Sequence, residues 1–388
     1  MRATSALPRD RICRYLNAVK KDLAVHTWNI ARHVGNARYL DATLPFVPTF
    51  EAKYGHEVST SLQTKYYTIT ETGMKVYEYN ADSASCLMEC GYTQDAWSNS
   101  AGLGSLGRSS STTLFAQLTA AWKGKNVHGT LHLLCDDDAE ERYHSLYMKA
   151  AAEAAGISCV LIVGVEELHF DKDGVTILDG QNRPLRNVWK TWAWQTVISQ
   201  YEARNGLTKQ GASVHMTPSP LARTVQVMDV MLHPSVRVFE PLWTVLPSSK
   251  AILPILSQLA PDNPYLLRST FDAADIATFK GGYVAKPVMG RTGANVSIYN
   301  SSGDLISATA GKWVDDTIVY QEIALLPKYE DDCYVQVNTW AIDGQYGGTV
   351  LRIDESNIIG LNSGIYPVRV VDSHDDTIDH DEVNATLA

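Results

Sequence analysis

The sequence predicts a mixed α/β fold, on three observations. Gly129–Leu134 reads as a strand, a helix then runs to about Ala155, and Ile157–Val165 returns as an apolar strand, which together make a βαβ unit. Lys65–Thr70 and Lys75–Asn80 flank Glu71-Thr-Gly73 and read as a hairpin. From about residue 240 onward strands and glycine-bearing turns dominate, as in Gly281–Ile298 and Tyr334–Leu351.

Taken in order, residues 1–60 form an N-terminal helical segment, with Ile12, Leu16, Val19, Leu23 and Trp28 at helical spacing within 8–35. The hairpin follows. Asp136–Asp138 opens the central helix, where acids suit the positive end of the helix dipole, and Gly156 ends it. No repeat or low-complexity linker divides residues 61–372, which predicts interleaved lobes. Ser373–Ala388 is polar and acidic with almost nothing to bury, so a disordered tail is expected.

Composition removes several function classes. The 43 acidic against 33 basic residues give a net charge of -10, which argues against nucleic acid as a partner. The longest apolar run, Ile157–Val165, is far shorter than the roughly 20 residues of a membrane helix. The six cysteines show neither CxxC nor zinc-ligand spacing and suit free thiols in a reducing cytoplasm. There is no HExxH and no Gly-x-Ser-x-Gly elbow.

Five places in the sequence carry candidate chemistry. Glu78, Asn80 and Asp82 alternate in Tyr-Glu-Tyr-Asn-Ala-Asp; alternate strand residues share a face, and three oxygen ligands suit magnesium. A solvent-facing edge strand would show the same alternation. Gly281–Asn295 delivers Lys286 and then a glycine-bearing loop with Gly290, Arg291 and Gly293, where backbone N–H groups can approach phosphate oxygens. Its spacing is neither a Walker A loop nor GxGxxG. Lys250 sits among apolar residues and reads either as a second phosphate contact or as a snorkelling surface lysine. Glu140 and Glu141 could bind an ammonium group but are also ordinary first-turn residues, and Arg352 has surface ion pairing as its default.

The strings Val76-Tyr-Glu-Tyr-Asn-Ala-Asp-Ser-Ala-Ser-Cys86, Val188-Trp-Lys-Thr-Trp-Ala-Trp194, Phe239-Glu-Pro-Leu-Trp-Thr-Val245, Lys250-Ala-Ile-Leu-Pro-Ile-Leu256 and Tyr346-Gly-Gly-Thr closely resemble the synthetase half of glutathionylspermidine synthase, over roughly residues 60–372. The resemblance implies an ATP-grasp fold of α+β lobes, ATP and Mg2+ as cofactors, glutathione and a polyamine such as spermidine as substrates, and a homodimer. It implies an ADP-forming ligase in which the glycyl carboxylate is phosphorylated and the amine attacks the acyl phosphate. Carried over by motif, Glu78 and Asn80 match magnesium ligands, with Glu78 in a catalytic role. Lys250, Lys286, Gln321 and the Gly290–Asn295 loop match ATP contacts. Ser83, Ser85 and Thr196 match glutathione contacts, Glu140 and Glu141 match acids near the polyamine, and Arg352 matches a catalytic cation. The first 60 residues do not resemble the amidase domain of the bacterial enzyme, so no hydrolysis of the product is expected.

Two departures stand out. The family's Arg-x-Asp pair falls on Thr64 and Tyr66, and an aspartate near the amine falls on Gly364. Lys65 should face the opposite side of its strand unless a bulge intervenes. Three readings therefore remain open: a ligase, a catalytically weakened nucleotide-binding paralogue, or a bare glutathione- or polyamine-binding protein.

Overall fold

The computed structural model describes residues 63–370 apart from 71–72, 83, 101–103, 106–107, 205–223, 315–316, 327–332, 344 and 367–368. The expected N-terminal helix, the acidic tail and Ser83 lie outside the described residues.

The βαβ unit forms the centre. Thr130–Cys135 is almost continuously apolar and buried, as a strand covered on both faces must be. Asp138 caps the next helix, Ala139–Ala154, its side chain accepting from the backbone N–H of Glu140 and Glu141. Gly156, at φ 87°, turns the chain back into Ser158–Val163, which pairs parallel with Thr130–Cys135. Asn187–Lys190 and Arg237–Phe239 complete a four-stranded parallel sheet.

Alternation along these strands feeds two cores. Leu134, Val188 and Val238 face one cluster with Trp194 and Trp243. Leu131, Leu133, Trp189 and Phe239 face the other, with Trp122, Trp340 and Val350. The Trp122 and Phe239 rings meet edge to face at 4.9 Å. Trp340 brings in a second sheet, antiparallel and five-stranded, ordered Gly364–Tyr366, Gln345–Asp354, Tyr334–Ile342, Gln63–Thr70, Gly73–Asn80. The expected hairpin is its edge, with Thr70 opposite Gly73.

A third sheet, ordered Ser269–Thr270, Ile318–Glu322, Gly282–Pro287, Ser297–Asn300, Leu305–Ala308, is antiparallel throughout. It reaches the edge of the second sheet through Lys286, which donates to the Tyr77 carbonyl at 3.0 Å. Among the described residues no helix is long and apolar enough to cross a membrane.

Candidate active site

A cavity of about 870 Å³ opens where the three sheets meet. Its cationic side is built from the third sheet and the Lys250 segment. Lys286 leaves its strand 6% exposed and donates to Gln321 Oε1 at 2.7 Å as well as to Tyr77. Burial pulls its pKa down to about 7, only partly opposed by the Glu78 charge. Lys250 Nζ lies 2.8 Å from Glu78 Oε2 and donates to the Gly290 carbonyl at 2.6 Å, so it is no snorkelling surface lysine. Burial pushes the Glu78 carboxyl up, but the charges of Lys250 and Lys286 outweigh it and hold it below the usual carboxylate range.

The glycine-bearing loop bends through positive φ at Thr292, Gly293 and Asn295. At Gly293 a Cβ would stand 2.5 Å from the Ile359 carbonyl oxygen, so glycine is needed both for its conformation and for its close approach. Gly290 is packed the same way against the Pro287 ring, 2.4 Å from an added Cβ. Arg291 reaches across to Asp82 Oδ1 at 3.1 Å.

That contact corrects one expectation. The strand ends at Asn80, so Asp82 is not a third oxygen ligand in line with Glu78 and Asn80. It is 1% exposed and works as an anchor: Oδ2 accepts the Trp194 N–H at 3.0 Å, while Lys190 Nζ donates to its carbonyl at 2.8 Å. Burial raises its carboxyl pKa, but Arg291, Lys190 and the Trp194 N–H prevail and hold it low. Burial likewise pulls the Lys190 ammonium below its ordinary value. Only the Trp-rich string hinted at Lys190, because its buried contact pairs residues about a hundred positions apart.

The opposite side is acidic. Glu140 and Glu141 line the cavity from the first turn of their helix, with Asp136 just before it. A hydrogen bond from His144 lowers the Glu140 pKa, whereas burial raises that of Glu141. Thr196 lines the wall from the Trp194–Arg204 helix, and Ser85 from the turn before the Glu89–Thr93 helix. Beside it Cys86, at φ 62°, is a buried thiol pushed up to about 12. Arg352 completes the cavity from near the end of Gln345–Asp354, 9% exposed. It donates to the Gly360 carbonyl and, among the described residues, forms no ion pair.

The register bears on the two departures. Thr64 lies opposite Asn80 and Trp340, Tyr66 opposite Glu78 and Asn338, and Lys65 opposite Tyr79. The bulge falls between Tyr66 and Tyr67, beyond Lys65, so it does not move Lys65 into the row of Glu78 and Asn80. Gly364 pairs with Ile353, next to Arg352.

The residues fit an anionic nucleotide and a hard cation. Among the described residues Arg352 Nε and Gln321 Nε2 are buried with no hydrogen-bond partner, and buried donors left open favour an acceptor from outside. Among the described residues Lys286 donates to two neutral oxygens, which leaves its charge for an anion. Val284, Ile298, Met289 and Leu326 give an apolar stretch suited to a base, and Glu78 and Asn80 offer oxygens of the kind magnesium takes.

Comparison with known proteins agrees on the family. The model of the glutathionylspermidine synthase preATP-grasp family matches residues 65–371. The bifunctional glutathionylspermidine synthetase/amidase of Escherichia coli (strain K12) is 40% identical over 305 residues, covering 79% of this chain and 48% of that protein. The trypanothione synthetase of Crithidia fasciculata is 38% identical over 300 residues, 76% of this chain and 45% of its own length. The chain thus spans about half the length of the curated relatives it matches. A crystal structure from Methylobacillus flagellatus KT, provisionally named a gamma-glutamylcysteine synthetase, shares the fold at TM-score 0.51 and 8% identity over 86% of each chain. With ATP-grasp architecture and these motifs in one cavity, the chain belongs to the glutathionylspermidine synthase family.

Proposed function

We propose that this chain is an ATP-dependent acid–amine ligase that joins the glycyl carboxylate of glutathione to spermidine or a related amine. The observation that carries the reading is the polarity of one cavity, with Lys250, Lys286 and Arg291 on one side and Glu140 and Glu141 on the other. Such a cavity takes phosphates and a carboxylate at one end and an ammonium group at the other.

Lys250, Lys286, Gln321 and the Gly290–Asn295 loop would hold ATP, and Glu78 with Asn80 would hold Mg2+. ATP supplies the phosphoryl group that turns an inert carboxylate oxygen into a leaving group, with release of ADP. Lys286 and Arg291 supply positive charge at the transferring group, where charge develops. Arg352 orients the carboxylate through its open Nε–H. Ser85 and Thr196 hold the peptide, and Ser83 joins them by motif. The amine nitrogen attacks the activated carbonyl carbon, forms the amide bond and expels phosphate. Its proton passes to Glu141, whose pKa is already raised by burial and so favours acceptance.

The decisive experiment is magnesium-dependent release of ADP and phosphate in the presence of glutathione and spermidine together. A second reading, a weakened nucleotide-binding paralogue, is favoured by Thr64 and Tyr66 standing in register with Asn80 and Glu78. It predicts thermal stabilisation by nucleotide without turnover. Stabilisation by glutathione or spermidine alone, with no nucleotide effect, overturns both.

A further inference from the structure

His144 is 1% exposed, one helical turn beyond Glu140, and sits against the segment that carries Ser85 and Cys86. Its Nδ1 accepts the backbone N–H of Met88 at 3.2 Å. An amide N–H can only donate, so Nδ1 bears a lone pair, and the ring proton of the neutral imidazole must lie on Nε2. That nitrogen is 3.4 Å from Glu140 Oε1, so His144 donates to the carboxylate.

Glu89, Glu140 and His144 place their ligand atoms within 4.8 Å of one another, the spacing of a metal cluster. The hydrogen bonds argue otherwise. The Nδ1 lone pair is taken by the Met88 amide and Nε2 is protonated, so the ring offers a cation no ligand atom. Glu89 Oε2, 3.9 Å from Nδ1, finds no proton there.

We propose that His144 is a positioning residue of the amine subsite: its backbone-locked Nε2–H fixes the Glu140 carboxylate at the cavity wall, ready for an ammonium group. The proposal rests on the acid–amine reading above. Asp138 already caps the helix, accepting from Glu140 N at 2.9 Å, so the Glu140 side chain is not needed as a cap. Left alone it would be a half-exposed acid, 54% accessible, free to choose among rotamers. His144 removes that freedom and links the Glu140 carboxylate to the Met88 amide, three residues beyond Ser85.

The test compares steady-state kinetics of the full chain with its His144→Ala, His144→Gln and Glu140→Gln variants, using spermidine as the probe amine. The loss of one hydrogen bond to a charged group typically costs about tenfold or more. His144→Ala is expected to raise KM for spermidine about tenfold, with kcat and the KM for ATP nearly unchanged. His144→Gln, whose amide N–H reaches the same place, should recover most of the loss. The proposal is overturned if His144→Ala leaves KM for spermidine alone, or if the Gln variant behaves like the Ala variant. If Glu140→Gln does not move that KM, the amine-site reading fails instead. Independently of turnover and of variant folding, 15N spectra of histidine-labelled protein should place the His144 proton on Nε2. A proton on Nδ1 would overturn the assignment.

Discussion

The two sides of the cavity hold their charges differently. On the cationic side Lys250 is tied to Glu78, Lys286 to Gln321 and Tyr77, and Arg291 to Asp82, with both lysines nearly out of solvent. On the acidic side Glu140 is half-exposed and, among the described residues, is held by the His144 imidazole. The contrast suits the ligands of the proposed function. Charge developing on a phosphoryl group is stabilised best by donors fixed in advance in a water-poor site. A flexible polyamine carries well-solvated, separated charges and can be collected by carboxylates that remain in water. The cationic side is therefore costly to build, and on the acidic side Glu140 owes its position to His144 rather than to burial.

Lys286→Ala should break the rigid side. It removes the buried lysine head group, and a loss of up to about a hundredfold in ATP affinity is expected, the size of one lost hydrogen bond to a charged group. Calorimetric titration with a non-hydrolysable ATP analogue measures it, and unchanged affinity would mean that the phosphate end lies elsewhere. Restoring Thr64→Arg together with Tyr66→Asp should sharpen the same side, because the register sets these positions beside Asn80 and Glu78. A rise of about a hundredfold in ligation rate is expected if the missing cation and carboxylate limit turnover. No change would show that another group already does their work.

The same contrast explains what the sequence made legible. The βαβ unit, the hairpin and the glycine-bearing loop were readable because each is local: apolar period, capping Asp138 and Gly156 are close in the chain. Glu140 and Glu141 could be put in the first turn of that helix for the same reason. Asp82 could not. Alternation counted it as a third ligand in line with Glu78 and Asn80, yet its partners Arg291 and Trp194 are 209 and 112 residues away. Lys250 and Arg352 were ambiguous between surface and site because burial is decided by the meeting of sheets. His144 carried no signal at all, since its role depends on a backbone N–H from another segment.

Asp82→Asn probes the joint between the sides. The amide keeps the shape but strips the charge that holds Arg291 and faces Lys190. Hydrogen bonds to charged groups contribute about 1.5–3 kcal/mol, so a loss of about 2 kcal/mol in stability is expected in urea unfolding. The loop should also become easier to cleave by protease in the free protein, and ATP should restore protection. If stability and cleavage stay as in the parent, Asp82 does not anchor the loop.

The smallest effect is a proton. With its pKa pulled to about 7 by burial, Lys286 is mostly neutral at pH 8 in the free protein. A triphosphate within about 4–6 Å favours the charged form, so binding should take up close to one proton at pH 8 and much less at pH 6. Titrations in buffers of different ionisation enthalpy read this directly, and Lys286→Met should abolish it. The same shift has a folding counterpart. The folded value lies below the ordinary lysine value of about 10.4, so the unfolded chain binds more protons between about pH 7 and pH 10. Burial of Lys286 thus costs its full amount below pH 7, and the cost is relieved as pH rises through that window. Subtracting the Lys286→Met unfolding curve from that of the parent should leave a difference that grows in the parent's favour over that range. A flat difference would mean that Lys286 keeps its proton in the folded chain, and that the cationic side is already charged before any nucleotide arrives.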